Sequence, residues 1–320
     1  MSAATASRAT QGALRYLELL SRAAAHVDAH LDAPLDVDLL AQRAAMSRHH
    51  FHRVFHAHFG LTVGGYVTWR RLRRACEMLA AHEGAVQDVA LAVGFATAQA
   101  LAKAMRRELD TTPSQVRAGR QPSFDALFAR REIRPGDRPG SPERALPPPP
   151  LNPRWLQVPA FAALTATGRG MSGGDMSQAA RQGFEELWPA LEAAGLSACV
   201  THAIGAVPEE PQGPDDPNCR MLTGMLFGIS LPEQRGTPAQ PEMALHGTLA
   251  WTHWPASRYA VFTHIGPYCG LHGMWKAIYR HWLPATGHAL RDEPGFDLYV
   301  DDSRNTPPDR LRTDLYLPLL

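Results

Sequence analysis

Between Val37 and Arg117 one pattern is written twice: a short apolar-periodic stretch, a tight turn, a capping hydroxyl, then a longer basic amphipathic stretch. In the first copy Leu39, Leu40 and Ala44 set an apolar face, Met46 and Ser47 make the turn, and a second helix is predicted to run to about Phe59. Ser47 is a good N-cap, because its hydroxyl accepts from one of the free amides that open a helix. Phe51, Val54, Phe55 and Phe59 recur at helical spacing and face inward. Arg48, His49, His52, Arg53 and His56 are left pointing away.

The second copy starts after the breaker at Gly84. Val89, Ala90 and Val93 form its first stripe, Gly94 marks the turn, and Thr97 caps a helix burying Leu101, Ala104, Met105 and Leu109. Gln99, Lys103, Arg106 and Arg107 lie outward, interleaved with Ala98, Ala100 and Ala102, which carry no hydrogen-bonding group. The first unit is thus expected to read base edges and the second to grip the phosphate backbone. Between them Thr62 to Ala81 reads as one helix of about 20 residues, hence about 30 Å at ~1.5 Å per residue. That is close to one turn of B-DNA, the separation two helices need to enter successive major grooves. A single chain can then span two adjacent grooves. Arg70, Arg71, Arg73 and Arg74 on this helix are expected to face phosphates.

The run LAQRAAMSRHHFHRVFHAHFG, the helix that follows it and VQDVALAVGFATAQALAKAMRRELDTTPSQVR resemble the DNA-binding domain of AraC-family transcription regulators. The resemblance implies base-reading positions at His49, His52 and Arg53 in the first recognition helix, and at Gln99 and Lys103 in the second. This chain departs from the family in having Leu101 and Met105 where Phe is usual, and alanines where polar residues are common.

Charge is divided unevenly. Lys plus Arg against Asp plus Glu is 15 to 10 over residues 1–120, 5 to 4 over 121–150 and 12 to 17 over 151–320. The basic front and acidic back are what a chain needs if only its front meets nucleic acid. Cys76, Cys199, Cys219 and Cys269 show no close pairing, which argues against a zinc ribbon, a redox motif or a disulfide framework and fits a reducing cytoplasm. No apolar run approaches a membrane span and the polar beginning has no signal-peptide core, so no membrane association is expected. Nor is a cofactor. Residues 1–10 read as a tail and Ala13 to Leu31 as a first helix.

After Arg117 a short helix is expected near Phe124 to Glu132, followed by RPGDRPGSPERALPPPPLNP, whose prolines favour extended polyproline geometry. The domains are therefore placed at 1–120 (all-α, double helix-turn-helix), 121–150 (linker) and 151–320. The last reads as α+β and carries an internal repeat. Strand Ala162–Gly170 and helix Met176–Ala194 are echoed by strand Tyr259–Gly266 and helix Gly270–Thr286, and each pair precedes two further strand candidates. These are Ala203–Val207 with Thr223–Ser230, and Phe296–Val300 with Asp314–Leu319. Two strand-helix-strand-strand halves leave a cleft at their junction, a natural ligand site.

The stretch from Arg258 to Leu319, with its Gly-Pro-Tyr turn, a helix ending in Trp-Leu-Pro and an Asp-Pro-Pro run before the last strand, resembles the GyrI-like effector-binding domain. Such domains are commonly joined to AraC-type reading heads as sensors of small molecules, and free-standing relatives include a gyrase inhibitor and hydrolase-like proteins. For the cleft, Phe184, Trp188, Tyr268, Trp275 and Tyr299 supply flat apolar walls and Asp297 a carboxylate, a setting suited to an apolar, planar or cationic molecule. The family usually has Glu where this chain has Asp297. The expected function is a transcription regulator with double-stranded DNA, a small-molecule effector and RNA polymerase as partners.

Two other readings compete. A hydrolase would need Asp297 or Glu293 with Tyr299 or His264 to align a water, but the chain has no Gly-x-Ser-x-Gly elbow and no metal motif. Metal sensing would rest on His52 and His56 at i and i+4, which base or phosphate hydrogen bonding explains better.

Overall fold

The computed structural model describes residues 3–129, 151–173, 175–209, 211, 215–231 and 235–320, and for 3–15, 49, 126 and 129 the backbone alone. The chain divides into two compact units, the first built on the helices between residues 11 and 129 and the second on the chain from Leu151, with which residues 3–10, the start of the first helix, are grouped. Most of the proline-rich stretch, 130–150, lies outside the described residues.

The first unit holds α1 (Ala3–Ala29), α2 (Val37–Arg43), α3 (Arg48–Phe59), α4 (Val63–Ala80), α5 (Val86–Ala92), α6 (Ala98–Leu109), α7 (Pro113–Arg117) and α8 (Asp125–Ala129). Contrary to the expected tail, α1 begins at Ala3, and the alanines of this stretch explain it, being the strongest helix formers. The caps expected at Ser47 and Thr97 are present, accepting from His50 N–H and Ala100 N–H, and Thr62, expected as the first residue of α4, caps it by accepting from Gly65 N–H. Helix α4 has 18 residues, about 27 Å at ~1.5 Å per residue, slightly short of the expected span. Phe51 and Phe55 are fully buried, and a run of ring contacts passes from Phe55 of α3 to Tyr66 and Trp69 of α4 and on to Phe128 of α8.

The two turns share one backbone geometry. Ala45 N–H donates to Gln42 O and Met46 N–H to Ala41 O; Gly94 N–H donates to Leu91 O and Phe95 N–H to Ala90 O. Both turns place a left-handed residue after the helix, Ala45 (φ 50) in the first and Gly94 (φ 79) in the second. Only the second has a neighbour pressed against it. A Cβ on Gly94 would overlap the Leu31 carbonyl oxygen and the Arg71 guanidinium, which itself donates to Leu31 O and Ala33 O at 2.9 Å each.

In the second unit β1 (Arg154–Val158), β2 (Phe161–Arg169), α9 (Ser177–Ala193), β3 (Val200–Ala206) and β4 (Arg220–Phe227) are followed by a small hairpin, β5 (Ile229–Ser230) with β6 (Arg235–Gly236). Then come β7 (Ala250–Trp254), β8 (Ser257–Ile265), α10 (Leu271–Ala277), a π-helical turn (Ile278–Trp282), α11 (Leu283–Thr286), β9 (Phe296–Tyr299) and β10 (Arg312–Leu319). The wide turn precedes Pro284, which has no N–H to donate and whose ring crowds the preceding turn.

The main sheet has the order β1-β8-β10-β9-β3-β4-β2-β7. The two strand-helix-strand-strand halves are therefore side by side, joined by the antiparallel pair β3·β9. The sequence reading did not include β1 and β7. Each precedes the first strand of its own half in the chain but pairs with that of the other half, β1 with β8 and β7 with β2, in matching register: Val158 faces Ser257 as Trp254 faces Phe161. Both corners read Pro-Ala, at Pro159-Ala160 and Pro255-Ala256, a signature of the duplication. One face of the sheet buries Phe161, Trp254, Tyr259, Phe296, Leu298 and Tyr316, and the other takes the helices.

Because Gly94 combines a positive φ with a filled space, Gly94→Ala is expected to lower stability by about 2 kcal/mol or more in urea unfolding of the full chain. An unchanged midpoint would show that the turn relaxes freely.

Candidate nucleic-acid interface and ligand cleft

Helix α3 presents Arg48 exposed and His52, Arg53 and His56 half-buried, while His50 is buried at 6 %. His49 lies in the same helix, its side chain outside the described residues. Arg48 pairs with Asp38 of α2 at 3.2 Å, both well exposed. An exposed pair of this kind is worth only ~0–1 kcal/mol, so Arg48 is easily drawn off by a phosphate. In α6 Gln99, Lys103, Arg106 and Arg107 are exposed along one side, and Gln87 Oε1 accepts Ala98 N–H at 2.9 Å, fixing the start of α6 against α5. Arg107 reaches the buried carboxylate of Glu108 at 2.8 Å.

The four arginines of α4 do not act together. Successive residues turn by about 100° on a helix, so Arg70, Arg71, Arg73 and Arg74 cannot share a face. Arg70 is committed to Asp28 of α1 at 2.5 Å and lies by the Trp69 ring, and Arg71 is spent on the Leu31 and Ala33 carbonyls of the loop after α1. Burial raises the Asp28 carboxyl above its ordinary value, although Arg70 pulls it down. Arg73 and Arg74 share Glu77 at 3.4 and 3.6 Å and are half exposed. The expectation of a phosphate-facing set is thereby corrected for Arg70 and Arg71.

In the second unit directly opposed residues of neighbouring strands share a face. One row across the helix-bearing face runs Leu315, Asp297, Gly205, Thr223; the next runs Thr313, Tyr299, Ala203, Met225. The small residues lie on β3, and the space over Gly205 is taken by the Tyr299 hydroxyl and the Met221 methyl. Asp297 is 8 % exposed and accepts the Trp275 indole N–H of α10 at 2.8 Å. The Tyr299 ring meets Tyr268 at 5.1 Å and Phe184 of α9 at 6.1 Å. Its hydroxyl reaches over Gly205, where any Cβ would overlap it.

Five of the six expected residues thus meet around β9. Trp188 packs beside them with Leu187 and Leu191, beneath the guanidinium of Arg304 at 5.8 Å, which Asp302 holds at 2.8 Å. Burial raises the Tyr299 phenol well above its ordinary value, helped by Asp297 and Tyr268, and burial raises Tyr268 as well. Both phenols are therefore neutral at ordinary pH. Glu293 is elsewhere, by Arg291 and Tyr259, and His264 faces Pro267 O, so neither joins Asp297.

Thr313 was not foreseen: its hydroxyl, fully buried next to Tyr299, has no hydrogen-bond partner among the described residues. A strand threonine carries no sequence signal that separates it from ordinary β-branched filling. Among the described residues no group of three or more His, Cys, Asp or Glu could hold a metal ion, and no helix is long and apolar enough to cross a membrane.

Two family models match. One, described as a helix-turn-helix domain, covers residues 40–119; the other, described as a GyrI-like small molecule binding domain, covers 151–320. The chain is 31% identical over 81 residues to the probable transcription factor PqrA of Proteus vulgaris (25% of this chain, 66% of that one). It is 41% identical over 63 residues to the probable transcriptional regulator YgiV of Escherichia coli (19% and 39%), and 32% over 81 residues to the regulatory protein SoxS of Salmonella typhimurium (25% and 76%). It thus spans two thirds or less of the first two.

A double helix-turn-helix head followed by a duplicated, sheet-based small-molecule domain defines the class. The chain belongs to the GyrI-like family, carrying in front of that domain the helix-turn-helix head of the AraC-family regulators.

Arg70→Ala is expected to cost about 1 kcal/mol of stability, because it leaves Asp28 half-buried and unpaired, whereas Arg74→Ala stays within ~0.5 kcal/mol. Thermal unfolding of the two variants decides; equal midpoints would return Arg70 to the surface set.

Proposed function

We propose that the chain is a transcription regulator that reads a promoter site mainly with α3, grips the DNA backbone with α6 and senses a small apolar, planar or cationic molecule in the cleft over β9. Residues 1–120 are assigned to DNA, 121–150 to the linker and 151–320 to the effector. The contrast between the two recognition helices carries this reading. Arg48, His52 and Arg53 of α3, and His49 beside them, all have hydrogen-bonding groups, whereas α6 alternates its Gln99, Lys103 and Arg106 with alanines. Base-edge readout needs donors and acceptors, while phosphate contact needs only positive charge and reach. Arg73 and Arg74 are the α4 arginines left for phosphate.

The aromatic and acidic residues around β9 support the sensing half of the proposal. A planar cation gains from the ring faces and from Asp297, roughly 0.5–2 kcal/mol for each good cation–π contact. The output is a change in DNA affinity or in contact with RNA polymerase. If binding in the cleft changes affinity for DNA, DNA must change affinity for the ligand by the same factor.

Arg53→Ala is expected to cost about 1–3 kcal/mol on a specific site and much less on random DNA, measured by anisotropy titration. Equal losses on both would make Arg53 a phosphate contact and remove base reading from it.

A further inference from the structure

The sequence treats Trp275 as one more flat wall of the cleft. Its surroundings give it another task. The indole N–H donates to Asp297 Oδ1 at 2.8 Å, so its polar edge is turned onto the carboxylate. One ring face stacks on Tyr279 at 5.8 Å with the planes 24° apart. The far edge of the indole rests on Gly295, which is buried and where an added Cβ would overlap both the ring and the Tyr316 carbonyl oxygen. Trp275 is therefore held at three places, and its one hydrogen-bond donor is spent on the carboxylate. Asp297 stands on a short strand opposite Gly205. An aspartate is also a short acid, so where its oxygens point decides what it reaches.

We propose that Trp275 is a positioning residue, which orients the Asp297 carboxylate by its indole N–H and so sets the preference of the cleft for a cation over a neutral molecule of the same shape, with Gly295 as the seat that holds the indole in place. This deepens the sensing half of the proposed function and rests on it. A charge-assisted hydrogen bond fixes direction as well as energy, and an acid free to rotate towards water or a neighbouring donor loses its hold on a buried cation. Phenylalanine at 275 keeps an aromatic wall but removes the donor and the outer ring edge that rests on Gly295.

The probes are N-methylacridinium, a permanent cation, and neutral acridine at mildly alkaline pH, titrated into the full chain by fluorescence. The wild type is expected to prefer the cation by ~10-fold or more, and Asp297→Asn to reduce that to below ~3-fold. Trp275→Phe is expected to follow Asp297→Asn in this ratio, since the smaller ring weakens acridine and the cation alike and only the lost donor separates them. Gly295→Ala, which displaces the indole without removing its donor, is expected to lower the ratio too. A second readout needs no ligand: the Trp275 indole N–H resonance, assigned by its loss in Trp275→Phe, is expected to move upfield in Asp297→Asn. A Trp275→Phe ratio equal to wild type, with Asp297→Asn collapsed, overturns the positioning role and leaves the cation reading standing. An Asp297→Asn ratio equal to wild type overturns both, and an indole resonance unmoved by Asp297→Asn overturns the hydrogen bond itself.

Discussion

A single seam, the antiparallel pairing of β3 with β9, joins the two halves of the second unit and fixes which residues stand between its helices. Each half is a strand, a helix and two strands, and neither half alone has two helices to make walls. Joined at β3·β9, the halves put α9 and α10 on one face with the seam as the floor between them. At the seam the two halves offer unlike residues, Gly205 against Asp297 and Ala203 against Tyr299. The asymmetry lets the Tyr299 hydroxyl reach across to Gly205 and sets the Asp297 carboxylate beside it. The exchanged edge strands β1 and β7 tie each half to the other, so the floor does not depend on the seam's few hydrogen bonds alone.

The helical unit rests on a comparable constraint. Arg71 donates to two carbonyls in the loop after α1, and Gly94 closes against the same place, so that loop, α4 and the second turn meet at one point. Burial lowers the Arg71 guanidinium from its ordinary value, as expected where hydrogen bonds to neutral carbonyls replace water. With that loop and the turn held there, the spacing of α3 and α6 becomes a property of the length of α4 rather than of flexible joints. A protein that must present two helices to successive grooves needs that rigidity.

Much of this was legible in the residues. Caps, breakers and hydrophobic period placed α3, α4 and α6 within a residue or so, because Ser47 and Thr97 act locally and their hydrogen bonds need no partner from elsewhere. The duplicated halves showed through hydrophobic period and the Gly-ended strands. What stayed hidden depends on distant partners. Arg70 and Arg71 look like any basic pair on a helix until Asp28 and the Leu31 carbonyl are brought beside them. β1 and β7 are short, and only their exchange across the halves makes them strands. Trp275 and Asp297 were both named for the cleft, but an indole aimed at a carboxylate is a fact of three-dimensional packing. Thr313 has no mark in the sequence at all.

The most direct test of the whole account is fluorescence anisotropy of the full chain on DNA from upstream of its own gene and on a scrambled duplex, at two salt concentrations. The account predicts tighter binding to the upstream DNA, with affinity for both falling steeply as salt rises, because basic side chains displace counterions from phosphates. No binding to either duplex at the lower salt would contradict it, and would leave the second unit to act without a DNA-reading head.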